Sequence, residues 1–198
     1  MKIFLSGCLL LATLASTAIA GPCEDRFIEL FTQQDQGMPT KAFNTTEFKG
    51  APPMTNEFYY LSQSHNMSVP VSPPQARVLT HGTVMYQSSD EGKTWVKVRD
   101  LEPPVSAEEA AALKLKDAET LRDALCDDDE IDGVAYERIA GAITLTQGMT
   151  TENRYTYWVR KDNGIIARAV YDTKAPNFEM KITQDIEPAP DLVLPVPE

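Results

Sequence analysis

Between Arg154 and Glu187 polar and apolar side chains alternate through three runs separated by two turns, RYTYWVRKDNGIIARAVYDTKAPNFEMKITQDIE. A period of two sustained over several residues is the pattern of a half-buried strand. Asp162, Asn163 and Gly164 separate the first two runs. A three-residue hairpin loop places a glycine at the left-handed bulge position, and Gly164 fits it. With that loop Lys161 faces Ile165. Tyr155, Tyr157 and Val159 then share one sheet face with Ala167, Ala169 and Tyr171, while Trp158 lies across from Arg168 on the other, a cation–π arrangement. In the third run Phe178, Met180 and Ile182 alternate with Glu179, Lys181 and Thr183, which predicts a third antiparallel strand.

Helical spacing appears twice. From Pro22 to about Gln34, Cys23, Phe27, Leu30 and Phe31 fall on one face, and Pro22 suits a first-turn position. The second helix starts at Ser106, with Glu109 at the third position of a capping box, and is predicted to reach Leu125 along a stripe of Ala111, Leu115, Ala118, Leu121 and Leu125. It would end at Cys126.

Strand patterns fill the rest of the chain. Lys41 to Phe48 and Met54 to Leu61 flank the Gly50-Ala51-Pro52-Pro53 turn, and Thr83 to Gln87 pairs with Thr94 to Val98 around Asp90-Glu91-Gly92. Val134 to Gln147 reads as one strand, or two broken near Gly141. Ser62 to Ala76, with Pro70, Pro73 and Pro74, reads as an irregular surface loop. The tail after Ile186 is Pro-rich and extended, with Asp191 to Leu194 free to pair with a sheet edge. The sum is an α+β domain of about seven or eight antiparallel strands whose apolar face two helices are available to cover.

Composition adds a compartment. Lys2, the apolar stretch from Ile3 to about Ala18 and the Ala18-Ile19-Ala20 triplet before Gly21 form a secretory signal peptide, residues 1–20, cleaved after Ala20. Leu5-Ser6-Gly7-Cys8 imitates a lipoprotein box but leaves too short an apolar core upstream. No later segment approaches the ~20 apolar residues of a membrane span. Asp and Glu number 29 against 18 Lys and Arg, with no basic run, which argues against nucleic acid as a partner. With Cys8 removed, Cys23 and Cys126 are an even pair in an exported chain, most simply a disulfide, closing a loop of about 100 residues worth up to ~4.7 kcal/mol on the chain-entropy model. It would tie the end of the second helix to the start of the first.

Candidate chemistry is sparse. Asp127 to Asp132 is the most acidic stretch, but an EF-hand register starting at Asp128 puts Ile139 where a bidentate Glu is required, so a solvated turn is the better reading and no metal is expected. His65 and His81 sit beside loop residues without a recognisable nucleophile motif, so neither catalysis nor a cofactor is expected.

The order of elements, the Tyr86 to Trp95 hairpin (YQSSDEGKTW), the Ile131-Asp132-Gly133 turn and the Tyr157 to Arg168 stretch (YWVRKDNGIIAR) resemble the LolA-like half-barrels, the lipoprotein-carrier superfamily of the bacterial periplasm. The resemblance implies a strongly curved antiparallel sheet, residues 21–187, with helices over the concave face and an apolar cavity that takes acyl chains, followed by a Pro-rich tail, residues 188–198. The Pro-rich 62–76 segment and the cysteine pair depart from the group's pattern. The cavity residues implied are Tyr155, Tyr157, Val159, Ala167, Ala169, Tyr171, Met180 and Ile182 of the sheet, with Leu115 and Ala118 of the second helix. Two readings of that face stand: a core filled by the helices, or small Ala167 and Ala169 beside large tyrosines leaving room for a lipid tail. The expected function is a monomeric, non-catalytic periplasmic carrier of a lipid or other apolar small molecule, the alternative being a filled scaffold that binds another envelope protein.

Overall fold

The computed structural model describes residues 21–33, 36–103 and 105–197. The expected signal peptide and Gln34 lie outside the described residues.

Helix α1 (Pro22–Thr32) starts where the sequence places it, the Glu24 carboxylate accepting a hydrogen bond from the Gly21 N–H at 2.9 Å. It buries Phe27, Leu30 and Phe31. Eleven strands follow, with one helix among them: β1 (Thr40–Phe48), β2 (Met54–Ser62), β3 (His65–Ser72), β4 (Arg77–His81), β5 (Val84–Ser88), β6 (Val96–Asp100), α2 (Ala107–Ala118), β7 (Arg122–Ile131), β8 (Val134–Gln147), β9 (Met149–Arg160), β10 (Ile166–Ala175) and β11 (Phe178–Pro188). They form one antiparallel sheet in the order β6-β5-β4-β3-β2-β1-β11-β10-β9-β8-β7, two meanders joined where β1 pairs with β11. The sheet is open, a curved half-barrel with α1 and α2 on its inner face.

Several expectations about elements are corrected. Residues 62–76 are not an irregular loop, because His65 to Ser72 pair with β2 and form β3. Pairing of β3 with β4 covers only His65 to Ser68, so Pro70 lies where one side of the strand is unpaired and a missing N–H is tolerated. The added strands bring the total to eleven rather than seven or eight.

The second helix stops at Ala118, not Leu125. Ser106 caps it, its hydroxyl accepting from Glu109 N–H at 3.1 Å. Beyond Ala118 an extended helix would put Asp123, Asp127 and Asp128 at a C-terminus, where the macrodipole opposes negative charge. The chain instead turns at Thr120, whose hydroxyl bonds both N–H and C=O of Thr144, and joins β8 as β7. Cys126 therefore lies in a strand. The disulfide to Cys23 is formed but fastens α1 to β7 rather than helix to helix.

The acidic 127–132 stretch is likewise strand, not turn, up to Asp132 and Gly133, whose φ values of 52° and 77° make the two-residue hairpin turn. Three of its carboxylates are engaged. Asp127 pairs with Arg138, Asp128 with Lys161 at 2.6 Å, and Asp129 accepts from the Trp158 indole at 2.8 Å.

The β9–β10 loop is one residue longer than expected. The Arg160 N–H bonds the Ile165 carbonyl and the Gly164 N–H bonds the Arg160 carbonyl, both at 2.8 Å. That alone would flip every following side chain, but a bulge between Ile166 and Arg168 absorbs the extra residue. Tyr157 still faces Ala169, Tyr155 faces Tyr171 and Trp158 faces Arg168, while Ile166 rather than Ala167 sits opposite Val159. The larger side chain gains the core position. Trp158 and Arg168 are cross-strand neighbours bonded elsewhere, Arg168 to Asp185 at 2.5 Å. Among the described residues the ring–cation contacts are instead Lys41 over Tyr59 and Lys114 over Phe31.

The tail does not pair with an edge. Ala189 N–H bonds the Pro39 carbonyl at 2.8 Å, and the chain then crosses the outer face, where His65 Nε2 hydrogen-bonds the Pro195 carbonyl at 3.1 Å. Leu194 is buried, and so is Leu79, which register places on that same outer face.

Candidate functional site

The site begins with what the helices fill. Phe27 and Leu121 lie so close over Gly141 that a Cβ there would meet them at 2.7–2.8 Å. Phe27 also packs against Tyr157, ring centroids 6.0 Å apart, and the core continues through Ile139, Ile143, Val159 and Ala169, with Ala118 closing it from α2. Over β7 and β8 the helices plug the sheet.

Towards β10 and β11 they do not. A cleft of about 320 Å³ opens there, within the range of small-molecule sites. Leu30 and Phe31 of α1 form one wall; Tyr155, Tyr157, Ile166, Tyr171 and Ile186 form the sheet floor; Gln33, Gln36 and Lys114 stand at its rim. Gln36 has a structural task as well, its amide bridging the N–H and C=O of Ile166 at 2.7 and 3.1 Å and so holding the bulge. The tyrosines form a ring cluster, Tyr155 to Tyr171 at 5.1 Å and Phe31 stacked on Tyr155 at 5.6 Å. Burial pushes all three tyrosine hydroxyls up, Tyr171 to about 12, so they stay neutral. Burial likewise pushes the Lys114 ammonium down.

Of the residues named from sequence, Tyr155, Tyr157 and Tyr171 line this cleft. Val159, Ala169 and Ala118 are in the packed core instead. Ala167 is the bulge residue, displaced by Ile166. Ile182 lies opposite Tyr171 on the same face, and Met180, one pair further along, borders a separate depression lined mainly by charged residues such as Glu47, Lys49 and Asp172. Leu115 is 52% exposed and points away from the sheet, because α2 turns Ala110, Ala111, Lys114 and Ala118 inward. Sequence reasoning missed Leu30, Phe31, Gln33, Gln36, Lys114, Ile166 and Ile186 as lining residues. Ile186 continues the alternation of Met180 and Ile182, with Gln184 masking it. Lys114 sits four residues before Ala118 on the helical stripe, and its charge hid it.

The two histidines, paired in register, have ring centroids 4.8 Å apart, and His65 is tied to the tail. Among the described residues neither histidine makes a hydrogen bond to a serine or a carboxylate. Among the described residues no group of three or more His, Cys, Asp or Glu is placed to hold a metal, and no helix is long and apolar enough to cross a membrane.

An open curved antiparallel sheet with helices on its inner face, left partly uncovered, defines an α+β half-barrel. Among solved structures the chain is similar to one from the Pseudomonas aeruginosa MucA/MucB complex, at 12% identity and a TM-score of 0.51, over 86% of this chain and 59% of that one. It thus spans about three fifths of that structure's length. It is also similar to a LolA superfamily protein from Nitrosomonas europaea (8% identity, TM-score 0.38, 87% and 94% of the two chains) and to an outer-membrane lipoprotein-sorting protein domain from Vibrio parahaemolyticus (10%, 0.36, 86% and 92%). At such identities the likeness concerns the fold alone. No protein-family model and no curated protein sequence matches the chain.

Proposed function

We propose that this chain is an exported periplasmic carrier or sensor that holds an acyl-chain-like ligand in the cleft between α1, α2 and β9–β11, without catalysis. Residues 21–187 form the binding domain, residues 189–197 of the Pro-rich tail strap its outer face, and residues 1–20 are removed on export. The observation that carries this reading is the uncovered part of the inner face. Where a filled scaffold would continue the packing of Phe27 and Ile139, the tyrosines and Ile186 instead floor a cleft of about 320 Å³. Each methylene buried there contributes ~0.8 kcal/mol.

The test is protein purified gently from the periplasm, extracted with organic solvent and examined by mass spectrometry, alongside titration with a fluorescent fatty acid. Bound lipid and saturable uptake are expected. Ile186→Trp, which fills the cleft, should weaken uptake about tenfold, the loss of one or two buried methylenes' worth of contact. No extracted lipid together with no uptake overturns the carrier.

A second reading has its own observation. Strand β6 is exposed at all positions, with Val96 67% exposed, and it ends the sheet, an edge open to strand addition. The chain would then be an envelope interaction module, in keeping with the two-protein complex in which its structural neighbour was solved. A proline at Lys97 would abolish partner capture on that reading and leave lipid uptake untouched.

A further inference from the structure

Lys114 is out of place on the inner side of α2. Its neighbours on that side, Ala110, Ala111 and Ala118, are small and apolar, as a helix packed on a sheet requires. A lysine there loses solvation, and burial is the cause of the downward shift of its pKa, with no carboxylate offsetting it. Among the described residues the other partly covered lysine has a counter-ion: Lys41 meets Glu57 at 3.0 Å. Lys114 has none among the described residues. Its ammonium reaches only the Gln33 carbonyl at 3.4 Å and the face of Phe31 at 5.7 Å, and both lie at the cleft.

The same cleft holds unused donors. The hydroxyls of Tyr155, Tyr157 and Tyr171 have no hydrogen-bond partner among the described residues. They stay protonated across the physiological range, so they offer O–H groups rather than charge. One carboxylate acts on this end, Asp117, whose charge raises Tyr155. The cleft is therefore apolar along its length, with one unpaired cation at its rim, in a chain whose net charge is −11.

We infer that the cleft selects single-chain amphiphiles with an anionic head group, a carboxylate or a phosphate monoester, the head paired with Lys114 and the chain laid over the tyrosine floor against Phe31. This rests on the carrier reading and sharpens it. An ammonium held beside apolar walls is an incomplete ion pair, and an anionic head completes it with a charge-assisted hydrogen bond, whereas an alcohol offers only a neutral one. A cationic head would meet like charge.

The experiment is competition against a fluorescent fatty acid bound to the full mature chain, using dodecanoic acid, dodecyl phosphate, dodecanol and dodecyltrimethylammonium, all with the same tail. At least one anion should compete about tenfold more strongly than dodecanol, and the ammonium least. Comparing the acid with the phosphate identifies the head group. Lys114→Gln should bring the preferred anion to the level of dodecanol, and Lys114→Arg should keep the preference. Because Lys114 is only half-buried, circular dichroism and thermal melting of both variants should match the parent. Equal competition by all four, or a preference that survives Lys114→Gln, overturns the inference and leaves the carrier standing. Failure of the fluorescent fatty acid and of every competitor to bind overturns both.

Discussion

Strands β7 to β10 bury their inner face beneath α1 and α2, whereas in β2 to β5 the fully buried residues, Leu79 and Ser88, lie by register on the outer face, which the tail that follows β11 crosses. One continuous sheet is thus covered on opposite sides along its width. The helical half has a contiguous core from Phe27 to Ala169. The strand-rich half relies on a strap of nine residues with Leu194 as its anchor. A sheet of eleven strands is too wide for two helices of 11 and 12 residues, and an amphipathic strand pair left bare on both faces would not stay folded. The cleft falls at the seam, where the helices end and the strap has not begun. It is an expected place for incomplete packing.

The disulfide breaks this comparison hardest. Cys23→Ser with Cys126→Ser removes a cross-link of sequence separation 103, and the chain-entropy model assigns such a loop about 4 to 5 kcal/mol. The loss should appear in urea unfolding, and α1 should be the first element whose amide protons exchange, since the bond fastens it to β7. The helix-free half should keep its protection longest. Simultaneous loss of protection in both halves would show that they fold as one unit.

Leu194→Ala attacks the other cover. A buried leucine truncated in a packed site costs about 2 to 3 kcal/mol, and the cost here should fall on β3 to β5 while fatty-acid uptake stays within about twofold of the parent. A large change in uptake would mean that the strap and the cleft communicate through the sheet.

The smallest effect belongs to the far hairpin. Asp90 accepts hydrogen bonds from Ser88 Oγ, Thr94 N–H and Thr94 Oγ1 at 2.7–2.9 Å, and Thr94 chiefly holds its carboxyl well below the usual carboxylate range. A carboxyl whose pKa is lower folded than unfolded adds stability above its unfolded value, about 3.9, and that stability fades as pH falls towards the folded value. The difference in melting temperature between the parent and Asp90→Asn should be constant from about pH 5 to pH 7 and shrink below about pH 4. A difference that grows on acidification would contradict the hydrogen-bond account.

Much of the fold is legible in local periodicity. The alternation in β8 to β11, the Phe27-Leu30-Phe31 spacing and the Ser106 cap each act over a few residues, and each element appears where its pattern lies. The cysteine pairing follows from an even count. The cleft was legible only through its three tyrosines, since Lys114 reads as a surface charge until α2 is oriented.

The sequence by itself determined which segments can be strands or amphipathic helices, because side-chain period and capping chemistry are local, and it determined the single cross-link available. Only the tertiary structure decided where α2 yields to β7, that residues 65–72 are a strand, that a bulge sends Ile166 inward in place of Ala167, and which face the tail covers. Those outcomes turn on whether a neighbouring strand edge or an uncovered apolar patch stands within reach. The chain learns that only when residues a hundred positions apart have met.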